Sequence, residues 1–140
     1  MPQLKQNDDS SMGIEGSAGG KGGFVPVTMR YDANSVDAPF FTADRPYVVH
    51  AIRGRVEVSG TGGACTATIR KVPSGTALGS GTALHSGSFN LEGTAATNQT
   101  LTLSTTASTV KLAAGDSLAF DITGTATSAL GSITVTLSPA

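Results

Sequence analysis

The stretch "YVVHAIRGRVEV" (47–58) constrains the fold more than any other part of the chain. Its residues sort by the two-residue period of an extended strand: Val48, His50, Ile52, Val56 and Val58 on one side, Arg53, Arg55 and Glu57 on the other. A helix would scatter those charges around its circumference. A strand slipped by one residue would turn Arg53, Arg55 and Glu57 into the core, so the pattern fixes register as well as element type. The expectation is a sheet with one buried face, on which His50 is a neutral, hydrogen-bonded core histidine, and one charged face turned to solvent.

The same period recurs along the chain. "VPVTMRY" places Val25, Val27, Met29 and Tyr31 on one side, and Pro26, which has no N–H to give a ladder, marks an edge strand. Further inward positions are Cys65, Ala67 and Ile69; Leu84; Phe89 and Leu91; Leu101 and Leu103; Val110 and Leu112; Leu118, Phe120 and Ile122; and Ile133, Val135 and Leu137. Turns containing Gly, Thr, Ser or Asn separate them. Roughly eight or nine short strands with no helix-length pattern predict an all-β chain, a single antiparallel β-sandwich of jelly-roll-like or immunoglobulin-like order. The run "SGTALGSGTAL" (74–84) repeats a five-residue phrase, but two copies cannot bury a continuous core. It reads as a loop or hairpin tip.

Before Phe24 the composition changes. Residues 1–23 are polar and Gly-rich, too poor in apolar surface to offset their ordering entropy, and are expected to form a flexible N-terminal arm ahead of a sandwich domain at 24–140. Within the arm, "GIEGSAGGKGG" imitates a phosphate-binding loop. The imitation fails on chemistry: Glu15 stands where the first glycine belongs, Gly22 replaces the hydroxyl residue that reaches the metal, and no apolar strand leads in. What the arm does carry is Leu4, Met12 and Ile14, isolated apolar residues with no local core to join, and Lys21. They are candidate anchors for a partner surface, with the glycines as spacer.

Charge narrows the function. Only 14% of the 140 residues are charged, and 9 Lys plus Arg stand against 10 Asp plus Glu for a net charge of −1, so the chain lacks the basic footprint of a nucleic-acid or anionic-membrane binder. One cysteine, Cys65, and two histidines, His50 and His85, fall short of a structural zinc set. No apolar run matches a signal peptide or a bilayer span, and synthesis in a cytoplasm is expected. No G-x-S-x-G elbow singles out a nucleophile, and His85 and Ser86, as strand neighbours, would point to opposite faces. Asp116, Asp121 and Glu92 lack the spacing of a calcium loop, and Asp116 in "AAGDSL" suits a turn closed through its own backbone. With aromatics at 5% and no Trp, a stacking platform for sugars or bases is poorly supplied. The reading is a non-enzymatic protein without cofactor or metal.

Five phrases carry a resemblance: "APFFTADRPYVVHAIRGRVEV", "IRKVPSGTAL", "LHSGSFNLEGTAATNQTLTLS", "KLAAGDSLAFDITGT" and "ITVTLSPA". From about Phe24 onward the chain resembles the capsid decoration, or cement, proteins of tailed bacteriophages. The resemblance implies a structural virion protein made in the host bacterial cytoplasm. It would stand as a homotrimer on the capsid exterior, bound to the major capsid protein and stabilising the head lattice. Leu4, Met12, Ile14 and Lys21 would form its capsid-binding arm, and Arg53, Arg55 and Glu57 a subunit contact face. A tail or fibre component with a receptor-binding sandwich, or a carbohydrate-binding module, is the alternative from the same features.

The composition break has a direct test. Because the inward-facing positions all lie beyond Phe24, a chain lacking residues 1–20 should melt cooperatively with a midpoint close to that of the full chain. Loss of folding in differential scanning calorimetry would make the arm an integral strand.

Overall fold

The computed structural model describes residues 23–140, so the arm positions Leu4, Met12, Ile14 and Lys21 lie outside it. Among the described residues the chain forms β1 (Val25–Tyr31), β2 (Ala38–Thr42), β3 (Tyr47–Val58), β4 (Thr66–Val72), β5 (Thr82–Ala83), β6 (Phe89–Asn90), β7 (Thr97–Leu101), β8 (Lys111–Leu112), β9 (Ser117–Thr123) and β10 (Leu130–Pro139). One sheet runs β1-β10-β3-β7, with β8 also on β3; the other runs β2-β9-β4-β5, with β6 also on β4. Every pairing is antiparallel. The pairs are nested: β1 takes β10, β2 takes β9, β3 takes β7 and β8, and β4 takes β5 and β6. The chain is thus one long hairpin whose first four strands alternate between sheets as it rolls up, which is jelly-roll order and the sandwich expected from the sequence.

The two sheets bury their inner faces against each other. Ile52 and Val56 of β3, Ile133, Val135 and Leu137 of β10, and Tyr31 of β1 come from one; Ala67 and Ile69 of β4, Leu118 and Phe120 of β9, and Phe89 of β6 come from the other. At its centre Tyr31 meets Phe89 edge to face, at 5.8 Å between ring centroids, and lies nearly parallel to Phe120 at 6.2 Å. Two glycines make room for these rings. A Cβ on Gly54 would run into Phe89 Cε1, and one on Gly131 would run into both the Arg55 carbonyl oxygen and the Tyr31 hydroxyl. That hydroxyl is buried without a hydrogen-bond partner among the described residues, and burial pushes the phenol up to about 12.

Three expectations, for Val48, His50 and Val58, need correction for want of a bulge signal in the sequence, and one strand is new. In the pairing of β3 with β10, Val49 sits opposite Leu137 and Ala51 opposite Thr136, leaving His50 as an extra residue. That bulge reverses the phase of the strand. Tyr47 and Val49 therefore point inward ahead of it, Val48 is only half-buried, and His50 is exposed. Far from being a core histidine, His50 bonds through Nε2 to Ser138 Oγ at 2.6 Å. A second shift, with Val56 on Gly131 and Val58 on Leu130, ends the ladder and leaves Val58 43% exposed. Strand β2 was unforeseen because Pro39 and a shift opposite Leu118 and Ala119 blur its alternation, so that Phe40 and Phe41 are both half-buried. Among the described residues β1 pairs with β10 alone, which puts Pro26 on an edge strand there. The doubled phrase forms a turn, a short 3-10 helix at Leu78–Ser80 and the brief β5, as its loop reading implied.

The glycine slot under Phe89 generates a prediction. Gly54→Ala should cost about 1–3 kcal/mol or more in urea unfolding, because the ring cannot retreat into a packed core. Phe89→Leu should be destabilising alone yet relieve part of that loss in the double variant. Additive losses would show that the two positions do not share the space.

Candidate functional site

The outer face of the β1-β10-β3-β7 sheet collects the polar half of each alternating strand. Register lines them up in rungs: Arg30, Ser132, Arg55 and Asn98 across one, and Thr28, Thr134, Arg53 and Thr100 across the next. Thr28 and Thr134 join their hydroxyls at 2.7 Å. Arg55 Nε donates to Glu57 Oε1 at 2.8 Å, a pairing that the two-residue spacing on one strand face permits, and Arg30 approaches Asp32 at 3.6 Å. These pairs are exposed and contribute at most about 1 kcal/mol each. Arg53 has no ion pair among the described residues. It lines an open groove of about 320 Å³ with Gly54, Arg55, Asn98, Ser132, Thr134 and Thr136; a second groove of about 440 Å³ adjoins it at Arg55 and Ser132 and reaches Arg30 and Glu57.

The sequence-predicted face of Arg53, Arg55 and Glu57 is therefore a real outer surface. Sequence reasoning missed that Arg30 and Asn98 join it. The alternation in "VPVTMRY" placed Arg30 on the polar side of its strand, but only strand order could bring it beside Arg55. At one end of this face His50, turned outward by the bulge, holds Ser138, and the Phe24 ring packs edge-on against His50 with centroids 4.9 Å apart. Phe24 precedes β1, so its side chain leans over β10 to reach β3.

The residues with chemical potential elsewhere serve the scaffold. His85 is buried; its Nε2 accepts the Ile69 N–H at 2.9 Å, which leaves Nδ1 protonated and donating to the Ser86 carbonyl at 3.1 Å. Desolvation holds its pKa below the ordinary histidine range. Asp121 pairs with Arg70, whose Nη1 also donates to the Gly81 carbonyl. Asp116 accepts the Ala113 N–H at 2.9 Å and closes the turn before β9, as its phrase suggested. Asp116 and Asp121 are thus engaged in separate places, Glu92 keeps a buried Oε2 without a hydrogen-bond partner, and among the described residues no group of three acidic, histidine or cysteine side chains is arranged to hold a metal.

No family profile matches the chain, and no curated protein matches it by sequence. Among solved structures it is similar to a chain of "Capsid of Ralstonia phage GP4", with a TM-score of 0.57 and 13% identity over 91% of both chains. At that identity the likeness is one of fold. Looser overlaps, at TM-scores of 0.38 and 0.40, are with a chain of "Bacillus endospore appendages form a novel family of disulfide-linked pili" (16% identity, 91% of this chain and 98% of that one) and a chain of "Structure of infectious bursal disease virus Gx strain" (15% identity, 85% and 30%).

The tautomer of His85 sets a pH dependence. The folded state keeps the ring neutral, so its pKa lies below the unfolded value and the unfolded chain takes up the proton first. Stability from this site is complete above about pH 6.5 and falls as the solution is acidified below it. His85→Gln, which can still accept from Ile69 N–H, should flatten that part of the curve in denaturant titrations at successive pH values. An unchanged slope would mean that His85 does not titrate with unfolding.

Proposed function

We propose that the chain is a structural virion protein that binds the outside of a tailed-phage capsid and stabilises the head lattice. The observation that carries this reading is the fold likeness, over 91% of both chains, to a chain of a phage capsid structure. The resemblance of its phrases to capsid decoration proteins supports it independently of the fold, as does a face built from arginine and small hydroxyl residues. The partner is the major capsid protein, and the unit on the capsid is a homotrimer. Arg53, Arg55 and Glu57 meet a neighbouring subunit, while Leu4, Met12, Ile14 and Lys21 of the arm reach into the lattice.

The physics of the role asks for no chemistry. A protein that binds only the assembled lattice favours that state by mass action, in proportion to its concentration over its dissociation constant. Ordering an arm costs roughly 1–2 kcal/mol per residue in backbone entropy, so each arm contributes little alone. Three arms engaging together offset this by effective concentration.

Mixing the purified protein with undecorated heads of its own phage, followed by sedimentation and electron microscopy, tests the proposal. Added density on the head exterior and greater heat resistance of the heads are expected. Arg53→Glu with Arg55→Glu, and separately Leu4→Ser with Met12→Ser and Ile14→Ser, should each weaken binding about tenfold, equivalent to roughly 1.4 kcal/mol. Binding to tails, or none to heads, overturns the reading.

A further inference from the structure

We propose that the open edge of β1 pairs with the same edge of a second copy of this chain, antiparallel about a twofold axis at Thr28, so that the β1-β10-β3-β7 sheets of two molecules become one. The sandwich is closed along one flank and open along the other. Beyond β7 and β5 its two sheets are stitched together, by the Ser86 N–H to the Thr102 carbonyl and the Ser104 N–H to the Leu84 carbonyl, both 2.9 Å, with His85 opposite Leu103. Strands β1 and β2 lie at the other ends of their sheets and border the open flank. Their edges differ. β2 is five residues long, carries Pro39 and has its pairing broken by a shift, all devices that blunt an edge. β1 pairs with β10 over seven residues without a shift, and among the described residues no strand takes its other side. Its inward side chains are incompletely covered, with Val27 and Met29 half-buried and Val25 37% exposed.

The glycine contacts show which backbone groups of β1 face the flank. The Ser132 carbonyl oxygen abuts Gly54, and the Arg55 carbonyl oxygen abuts Gly131, so Ser132 and Arg55 turn their carbonyls toward each other as a hydrogen-bonded pair of the β10–β3 ladder. Successive residues of a strand direct these groups to opposite sides. Ser132, Thr134 and Thr136 therefore serve β3, and their partners on β1, which are Arg30, Thr28 and Pro26, direct their backbone groups away from β10. Pro26 agrees with this phase, because the N–H it lacks is not one that β10 needs.

Turned on a second copy about Thr28, this edge is complementary to itself. Each Thr28 exchanges a pair of N–H···O=C bonds with its mate, and each Arg30 N–H meets a Pro26 carbonyl. The inward side chains meet in kind: Val27 stands opposite Met29 of the second copy, at a position without ladder bonds, where side chains approach most closely. On the outward side the two Arg30 residues are four positions apart, about 13 Å along the strands. A register centred on Met29 would halve that separation and set like charges diagonally across the seam. The pairing leaves Arg53, Arg55 and Glu57 uncovered. It joins molecules about a twofold axis, where the proposed trimer is threefold, and it stands or falls without heads, so its failure is separate from failure of head binding.

Sedimentation velocity on the full chain tests the association. A reversible dimer that grows with concentration is expected. Thr28→Pro removes an edge N–H that β10 does not use, and should raise the dissociation constant about tenfold or more while circular dichroism stays that of the folded chain. Thr28→Cys should cross-link the dimer on mild oxidation, because the facing Cα atoms of a hydrogen-bonded pair stand about 5.5 Å apart, within disulfide reach. Pro26→Cys should not cross-link alone, its mates being about 13 Å apart, but should do so when combined with Arg30→Cys. Cys65 is fully buried and does not compete. Exchange of the Thr28 and Arg30 amides should slow only as concentration rises. A monomer at every concentration, a dimer indifferent to Thr28→Pro, or cross-linking of Pro26→Cys in place of Thr28→Cys overturns the proposal. Protection of those amides at every concentration also overturns it, because the edge is then covered within one molecule.

Discussion

The fit of aromatic rings into glycine slots sets how closely the two sheets approach. Phe89 comes from a two-residue strand on one sheet and occupies the volume that a side chain at Gly54 of the other would need. Tyr31 lies over Gly131, its ladder partner in the same sheet, and Phe120 lies along Tyr31 from the far sheet. Because interiors are packed as densely as organic crystals, these contacts leave no slack for the sheets to slide. The short β6 has only Thr66 with Asn90 and Ala67 with Phe89 in its ladder, and the Gln99 amide adds a bond to the Asn90 N–H and one to its carbonyl. The Tyr31 hydroxyl, without a hydrogen-bond partner among the described residues, is the cost of seating a large ring there.

A core fixed in this way also fixes the outer polar face, since both are read from the same strands. In β10, Ile133, Val135 and Leu137 point into the core while Ser132, Thr134 and Thr136 line the grooves. In β3, Ile52 and Val56 are the obverse of Arg53 and Arg55. The bulge at His50 then decides where the N-terminal chain meets the sheet. Had β3 kept strict alternation, His50 would be buried and Phe24 would have nothing on the outer face to rest on. One extra residue in a ladder therefore decides what the Phe24 ring packs against.

The side chains that might suggest catalysis are held by the scaffold in the described structure. His85 accepts a backbone N–H in the core, Asp116 closes a turn, and Asp121 and Arg70 join β9 to β4. Lys71 spans the two sheets through the Ser108 and Lys111 carbonyls. What is left facing solvent in one connected place is a row of arginines with small hydroxyl and amide neighbours.

The sequence by itself determined the element type, the core and the polarity of the faces, because the strand period is local and each side chain's affinity for water is intrinsic. It gave Ile52 and Val56 inward and Arg53, Arg55 and Glu57 outward, the edge position of Pro26, and the buried runs of Cys65–Ile69 and Ile133–Leu137. Tertiary structure alone decided which strands adjoin, and so brought Arg30 and Asn98 to Arg55 from distant parts of the chain. It also decided the bulges: whether a strand keeps its phase depends on the ladder opposite, as Leu137 and Thr136 show for His50, and a single strand's pattern contains no information about its partner.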